Sequence, residues 1–282
     1  MRPFWITGAG GLIGSYLARS AAHLFPGARV VPLTRTDLDL TDSSAVRTEI
    51  RRQNPQLIIH CAALTQTTIC ETNPALAHNL NVTMTAQLAE LAADAPFIFL
   101  STDLVFDGKL GSYDESACPN PLSVYAQTKV AAEQLVLAHP KNIVIRTSLN
   151  AGASPTGDRG FNEQIRRAWQ AGQTLRLFTD EFRCPIAAEV TARAIWELVR
   201  QAKPGIYHVA GSERLSRWQI GQLLAHRHPD LKPHLERASL KEYTGAPRAA
   251  DTSLNCAKAQ RLLTFPLPMF SHWLAAQPRE LI

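Results

Sequence analysis

Through the first half of the 282-residue chain, short apolar runs alternate with longer segments of helical period. That alternation is the pattern of βαβ units arranged about a parallel sheet. It predicts strands at Phe4 to Thr7, Arg29 to Thr34, Leu57 to Cys61, Phe97 to Ser101 and Asn142 to Thr147. Helices fit between them at Leu12 to Leu24, Asp42 to Gln53 and Pro74 to Ala93, with Thr41 or Asp42 as a cap and Pro74 in a first turn. After Thr147 the texture changes to Gly, Ser and Pro through residues 151–157, which reads as the crossing into a second lobe. Gly205 to Val209 then returns as a strand of the main sheet, so the second lobe is discontinuous. The expected fold is α/β: a Rossmann-like doubly wound parallel sheet with a smaller, discontinuous α/β lobe.

Composition narrows the class without deciding it. Hydrophobic residues make up 45% and charged residues 19%, ordinary for a globular chain with no stretch polar enough to stay disordered. The 29 Lys+Arg against 24 Asp+Glu are scattered rather than gathered in runs. This favours a phosphate-bearing small ligand over nucleic acid, although a mildly basic surface accounts equally well for the charge taken alone. The five cysteines are widely spaced, odd in number and without a Cys-x-x-Cys pair, so neither a disulfide framework nor a zinc site is indicated. The N-terminus lacks a signal-peptide layout, and no apolar run reaches the roughly 18 residues that span a bilayer. A cytoplasmic protein without membrane contact is therefore expected. No histidine pair has metal spacing beside an acid, so no metal is expected; His226 and His228 read as solvent-exposed. Trp169, Trp196, Trp218 and Trp273 read as packing anchors.

The first chemical signal is Thr7-Gly8-Ala9-Gly10-Gly11-Leu12-Ile13-Gly14, directly after the first strand and opening a helix. Glycines at 8, 11 and 14 allow a tight turn, close approach of a pyrophosphate to backbone N–H groups, and close packing of helix on strand. The spacing is Gly-x-x-Gly-x-x-Gly with Thr in front, which resembles the loop of the short-chain dehydrogenases/reductases. At the end of the second strand stands Arg35, a cation where a 2′-phosphate would sit, whereas an acid there would bind a ribose 2′-hydroxyl. NADP(H) is thus the preferred cofactor and NAD(H) the second option, with Arg35 and Thr34 as readers. Residues 1–150, joined by 186–210, form the NAD(P)-binding domain, and residues 151–185 and 211–282 form the substrate-binding lobe.

Tyr125-Ala126-Gln127-Thr128-Lys129 places a phenol and an ammonium four residues apart on one helix face. The positive charge is expected to pull the tyrosine pKa down from its usual value of about 10. Tyr125 can then donate a proton to a carbonyl oxygen, Thr102 at the fourth strand's end can hydrogen-bond that oxygen, and Lys129 can reach the nicotinamide ribose.

Beyond these motifs the chain resembles the dTDP-4-dehydrorhamnose reductases. The likeness runs through Ser101-Thr102-Asp103-Leu104-Val105-Phe106-Asp107-Gly108, Tyr113-Asp114-Glu115, Pro121-Leu122-Ser123-Val124-Tyr125 and Arg146-Thr147-Ser148. It continues in His60-Cys61-Ala62-Ala63, Cys70-Glu71, Asn79 to Val82, Asp180 to Pro185, Gly205 to His208 and Arg248 to Asn255. The resemblance implies an extended short-chain dehydrogenase/reductase that reduces a nucleotide-linked 4-keto sugar. It implies Thr102, Tyr125 and Lys129 as the catalytic triad and Asp103 beside the substrate. It also implies cofactor contacts at Gly8 to Gly14, at Asp39 and Leu40 near adenine, and at Cys61, Ala62 and Ala63. Arg248 would face a substrate phosphate or form a structural ion pair. Leu104 and Leu149 stand where the family carries a tyrosine and a tryptophan near the sugar, which bears on the identity of that sugar.

Two other classes compete with the reductase. The stretch from Leu80 to Gln134 also resembles the beta subunit of methionine adenosyltransferase, which implies a non-catalytic, cofactor-binding regulatory subunit. A sugar-nucleotide dehydratase or epimerase shares the scaffold, but dehydratases resembling it carry Thr-Asp-Glu where this chain has Thr102-Asp103-Leu104. A homodimer is the base-rate expectation for assembly.

Overall fold

The computed structural model describes residues 2–92 and 95–278. Its first half runs β1 (Phe4–Thr7), α1 (Leu12–Leu24), β2 (Val30–Leu33), α2 (Ser43–Gln53) and β3 (Leu57–His60). Three short helices follow, α3 (Thr67–Thr72), α4 (Pro74–His78) and α5 (Met84–Leu91), and then β4 (Phe97–Thr102), α6 (Val124–Leu137) and β5 (Ile143–Thr147). The second half contains β6 (Asn150–Ala151), α7 (Phe161–Gln170), β7 (Leu175–Phe178), β8 (Phe182–Arg183), β9 (Ile186–Ala187), α8 (Ala188–Gln201) and β10 (Gly205–Val209). It ends with β11 (Leu215–Ser216), α9 (Arg217–Arg227), β12 (Leu235–Ala238), α10 (Ala257–Gln260) and α11 (Phe270–Ala276).

Six strands form one parallel sheet in the order β2-β1-β3-β4-β5-β10. Because successive strand residues face opposite sides, Trp5 and Ile58 enter one core while their neighbours Ile6 and Ile59 enter the other. Leu88 of α5 and Ala132 and Val136 of α6 complete the first core. Leu17 of α1 and Trp196 of α8 complete the second, and the Trp196 indole N–H donates to the Leu17 carbonyl at 3.2 Å. Strand order diverges between β1 and β3, so a crevice opens at the carboxyl ends of these strands, where open α/β sheets take ligands. The remaining strands pair two by two, β6 with β9, β7 with β12 and β8 with β11. They lean on a third core of Phe161, Trp169, Ile220, Leu224 and Phe270.

The predicted elements are present with shifts of a residue or two, and two expectations need correction. The single helix expected from Pro74 to Ala93 is divided: a π-helical turn over Asn79–Thr83 separates α4 from α5. Ala93 lies outside the described residues. His228 is buried at the end of α9, not exposed, while His226 is exposed. Apolar periodicity cannot report on a polar side chain that closes a helix end. No helix among the described residues is long and apolar enough to cross a membrane.

Candidate active site

The turn after β1 is dictated by sterics. Gly8 has φ of +67°, and a Cβ on it would lie 2.6 Å from the backbone nitrogen of Ala62. Only glycine lets the loop seat against Cys61 and Ala62 after β3, where the Cys61 N–H donates to the Thr7 carbonyl at 3.2 Å. A Cβ on Gly14 would lie 2.4 Å from the Gly8 carbonyl oxygen, so α1 reaches the strand only because residue 14 is glycine. Gly11 precedes α1, which Leu12 and Ile13 open. At Gly10 the protein leaves ordinary room, the nearest atom to a built Cβ being the Thr34 methyl at 3.7 Å. An open turn at a helix N-terminus presents unpaired N–H groups to an anion.

Arg35, just beyond β2, is exposed and makes no hydrogen bond or ion pair among the described residues. The Thr34 hydroxyl is already committed, donating to Asp37 Oδ2 at 2.5 Å. Asp39 accepts from the Thr41 N–H at 2.9 Å and from its hydroxyl at 2.7 Å, bonds that hold its pKa low, and Leu40 is half-buried against the sheet core. The open turn at Gly10 and the unpaired Arg35 fit a dinucleotide carrying a 2′-phosphate.

Thr102 ends β4, and Tyr125 and Lys129 project from α6, whose first turn is capped by the Ser123 hydroxyl and by Glu71 Oε1, which accepts from the Val124 N–H at 2.8 Å. Thr102 and Tyr125 line one cleft. Burial, then the charge of Asp103, hold the Tyr125 phenol above its ordinary pKa, with the Thr102 hydroxyl opposing them. This reverses the expectation that Lys129 would lower it. The Lys129 ammonium turns toward the sheet instead, donating to the Leu100 carbonyl at 2.7 Å with its nitrogen 3.9 Å from the centre of the Phe99 ring. Burial pulls its pKa down to about 7 against the opposing charges of Glu133 and Cys61. Asn81, in the π-helical turn, fastens this corner: its Oδ1 accepts from the Leu64 N–H at 2.7 Å and its Nδ2 donates to Thr128 Oγ1 at 3.0 Å.

A closed ionic cluster joins α6 to β4, β5 and β10. Arg146 of β5 meets Glu133 of α6 at 2.7 Å, with the two side chains 2% and 3% exposed. The Ser101 hydroxyl also donates to Glu133. His208 Nδ1 sits 3.0 Å from the Tyr113 carbonyl and so must donate to it, leaving Nε2 to accept from Arg146 at 3.5 Å.

A cleft of about 490 Å³ is lined by Thr102, Asp103, Leu104, Tyr125, Leu149, Glu181, Arg183, Arg217 and Arg248, among others. Asp103 is buried, and its Oδ2 accepts from Ser148 at 2.7 Å and from Thr252 at 3.0 Å, with Arg183 Nε at 3.8 Å. Burial raises its pKa against the pull of Arg183 and the three hydroxyls. Arg183 and Arg248 both pair with Glu181, at 3.1 and 2.7 Å, and hold it below the usual carboxylate range despite burial. Arg248 therefore lines the cleft and forms the ion pair foreseen for it. Arg217, the first residue of α9, is half-buried in the same wall, and its guanidinium makes no hydrogen bond or ion pair among the described residues.

Thr102, Tyr125, Asp103, Leu104, Leu149 and Arg248 therefore share one cleft, Lys129 turns from it toward the Leu100 carbonyl, and Gly8 of the glycine loop meets Cys61 and Ala62. Sequence reasoning gave no role to Asn81, Glu133, Ser148, Glu181, Arg183, Arg217 or Thr252. Most lie in stretches that carried the family likeness, but Arg217 had no signal beyond following Ser216, which with Gln219 forms a capping box.

The profile of the RmlD substrate binding domain matches residues 1–280. The chain belongs to that family. Relatives of this RmlD-family chain include the dTDP-4-dehydrorhamnose reductase of Sinorhizobium fredii, 30% identical over 278 residues, 93% of this chain and 92% of the relative. The methionine adenosyltransferase 2 subunit beta of Xenopus laevis is 28% identical over 271 residues, 91% of this chain and 81% of the relative. The crystal structure of the Bacillus anthracis dTDP-4-dehydrorhamnose reductase in complex with NADP superposes with a TM-score of 0.88 at 25% identity, covering 97% of each chain. The likeness first drawn from scattered motifs thus extends over the whole RmlD-family fold.

Proposed function

We propose that this protein is an NADP(H)-dependent reductase of a nucleotide-linked 4-keto sugar. It is an NAD(P)-dependent oxidoreductase of the sugar-nucleotide class; the proton donor and the sugar are the finer part of the proposal. The observation that carries it is that Thr102, Asp103 and Tyr125 line one cleft, while the Gly8 turn that opens α1 packs against Cys61 and Ala62. Gly8, Gly10, Gly11, Leu12, Ile13 and Gly14 would cradle the pyrophosphate, with Cys61, Ala62 and Ala63 beside them, and Arg35 would read the 2′-phosphate, making NADP(H) preferred over NAD(H). Asp39 and Leu40 would border adenine. In the bound state the reduced nicotinamide supplies hydride to the carbonyl carbon. Thr102 hydrogen-bonds the carbonyl oxygen and Tyr125 transfers its proton to that oxygen as the C–O double bond becomes a carbinol. A phenol held above its ordinary pKa stays protonated at neutral pH, as a donor in the reductive direction must. Lys129 would hold the nicotinamide ribose, and Asp103, Leu104, Leu149 and Arg248 would contact the substrate. We assign residues 1–150 with 186–210 to cofactor binding and 151–185 with 211–282 to the substrate lobe, in a cytoplasmic homodimer.

Titration with NADPH and NADH, followed by nicotinamide oxidation over a panel of 4-keto sugar nucleotides, tests this reading. Turnover preferring NADPH is expected; tight NADPH binding without turnover on any keto sugar would defeat it. The second reading, a cofactor-binding regulatory subunit, is favoured by the similarity to the Xenopus laevis protein, and co-purification with a methionine adenosyltransferase catalytic subunit would support it. An epimerase remains a third option, whereas dehydration lacks its second acid because Leu104 stands next to Asp103 in the cleft.

A further inference from the structure

We propose that His60 is a positioning residue for Tyr125: through a buried chain of hydrogen bonds it ties the strand end that opens the glycine loop to the helix that carries the phenol. The inference rests on the reductase reading and deepens it, naming a residue outside the cleft on which turnover depends. His60 ends β3 and is fully buried, as are Thr7 and Thr85 on either side of its ring. Its Nδ1 lies 2.7 Å from the Thr7 hydroxyl and its Nε2 3.0 Å from the Thr85 hydroxyl.

The partners fix where the protons are. Thr85 gives its one hydroxyl proton to the Asn81 carbonyl at 2.8 Å, so it can only accept from His60 Nε2. Burial, and then the charge of Lys129, push the ring pKa down to about 3, so the ring is neutral and its Nδ1 accepts from Thr7. Beyond Asn81 the chain continues in the same sense. Asn81 Nδ2 donates to Thr128 Oγ1 at 3.0 Å, and the Thr128 hydroxyl donates to the Tyr125 carbonyl at 2.7 Å. Every bond from Thr7 to Tyr125 thus donates in one direction, an arrangement in which each bond polarises the next. The ring also stacks on Phe99 with centroids 6.0 Å apart, and the Phe99 ring holds the Lys129 ammonium 3.9 Å from its centre. The rest of β3, Leu57, Ile58 and Ile59, is apolar and buried. A polar ring in that strand is costly to bury unless its nitrogens are bonded, and both are.

The test compares Thr7→Val, Thr85→Val and the double variant, which remove the flanking hydroxyls and keep their shape. It reads kcat and KM at saturating NADPH with the best keto sugar nucleotide, and hydrogen exchange along α6 in the free protein. Each single variant should lower kcat ~10-fold, the cost of a slightly misplaced donor, with KM within ~2-fold of the parent. Because both hydroxyls act through His60, the double variant should fall no further than the worse single, where independent contacts would multiply to ~100-fold. Thr7→Ser and Thr85→Ser should recover the loss. Exchange at residues 124–129 should quicken in Thr7→Val, although that hydroxyl bonds to His60 and to no group of α6. Should Thr85→Val misfold, Thr128→Val cuts the same chain further along and carries the comparison. Parental kcat in both singles, parental α6 exchange in Thr7→Val, or losses that multiply in the double variant would each overturn the proposal. Quickened α6 exchange in Thr7→Val, with no turnover of any keto sugar by the parent, would uphold the link and sink the reductase reading instead.

Discussion

Two ionic clusters of the molecule, one within the sheet and α6 and one at the cleft that Tyr125 lines, differ in one respect. Glu133, Arg146, Ser101 and His208 form a closed set, with Glu133 paired to Arg146 and also favouring the charge of buried Lys129, and nearly every side chain is out of water. Glu181, Arg183, Arg217, Arg248 and Asp103 form an open set that lines a cleft together with Glu71, three arginines among three carboxyl groups. A closed cluster has nothing left to bind and can only hold strands and helix in register. An open one beside a cleft has room for a ligand. Substitutions in the closed cluster should therefore cost stability, and substitutions at the cleft should cost turnover or affinity.

The largest effect expected is on chemistry. Tyr125→Phe should lower kcat by ~10²- to 10⁴-fold, the usual worth of a positioned proton donor, while leaving the melting temperature close to that of the parent. Steady-state kinetics and a thermal melt check both halves. A stable Tyr125→Phe variant with near-parental kcat would mean the proton comes from elsewhere. In the closed cluster, Glu133→Gln should leave Arg146 buried without its counter-ion and destabilise the fold by ~3–5 kcal/mol. Urea denaturation measures this, and a loss below ~1 kcal/mol would show that water reaches the closed cluster after all.

Much of this was legible from residue order because it is local. The glycine loop, the Tyr125–Lys129 spacing and the strand end at Thr102 each depend on neighbours within a few positions. What was not legible depends on pairs far apart in the chain. Asp103 meets Thr252 across 149 positions, Arg146 meets His208 across 62, and Arg248 meets Glu181 across 67. No periodicity encodes such meetings. The expected pull of Lys129 on Tyr125 failed for a related reason: helix spacing says that both stand on one face, but not that the Leu100 carbonyl captures the ammonium. The strand pairs of the second lobe, β6 with β9 and β8 with β11, are two residues long, too short for alternation to register.

A smaller effect separates the glycine loop from both clusters. Gly14→Ala would force its Cβ against the Gly8 carbonyl oxygen and should cost ~1–3 kcal/mol of stability, together with a clear loss of NADPH affinity because α1 must move away from β1. Gly10→Ala, where the protein leaves 3.7 Å to the nearest atom, should keep its stability and lose only cofactor affinity. If both variants bind NADPH like the parent, the loop is a packing turn and not a phosphate cradle.

The most discriminating effect is a dependence of stability on pH. His208 belongs to the closed cluster, where burial and then the Arg146 charge push its pKa down to about 4; His60, held between the Thr7 and Thr85 hydroxyls at 2.7 and 3.0 Å, is pushed to about 3 by burial and then by Lys129. In the unfolded chain both titrate near ~6.5. Below that value the unfolded state binds protons that the folded state refuses, so the stability these sites contribute is fully present above pH 6.5 and is lost as pH falls toward 4. The slope is at most ~1.4 kcal/mol per pH unit for each histidine. Urea midpoints between pH 7 and pH 5 isolate this effect from most carboxylates. Stability should fall across that window in the parent, fall less steeply in His208→Gln, and fall just as steeply in Arg217→Ala, since an arginine keeps its charge throughout. A parental slope in His208→Gln would mean that His208 already takes up its proton at the ordinary pH, which a dry, closed cluster does not allow.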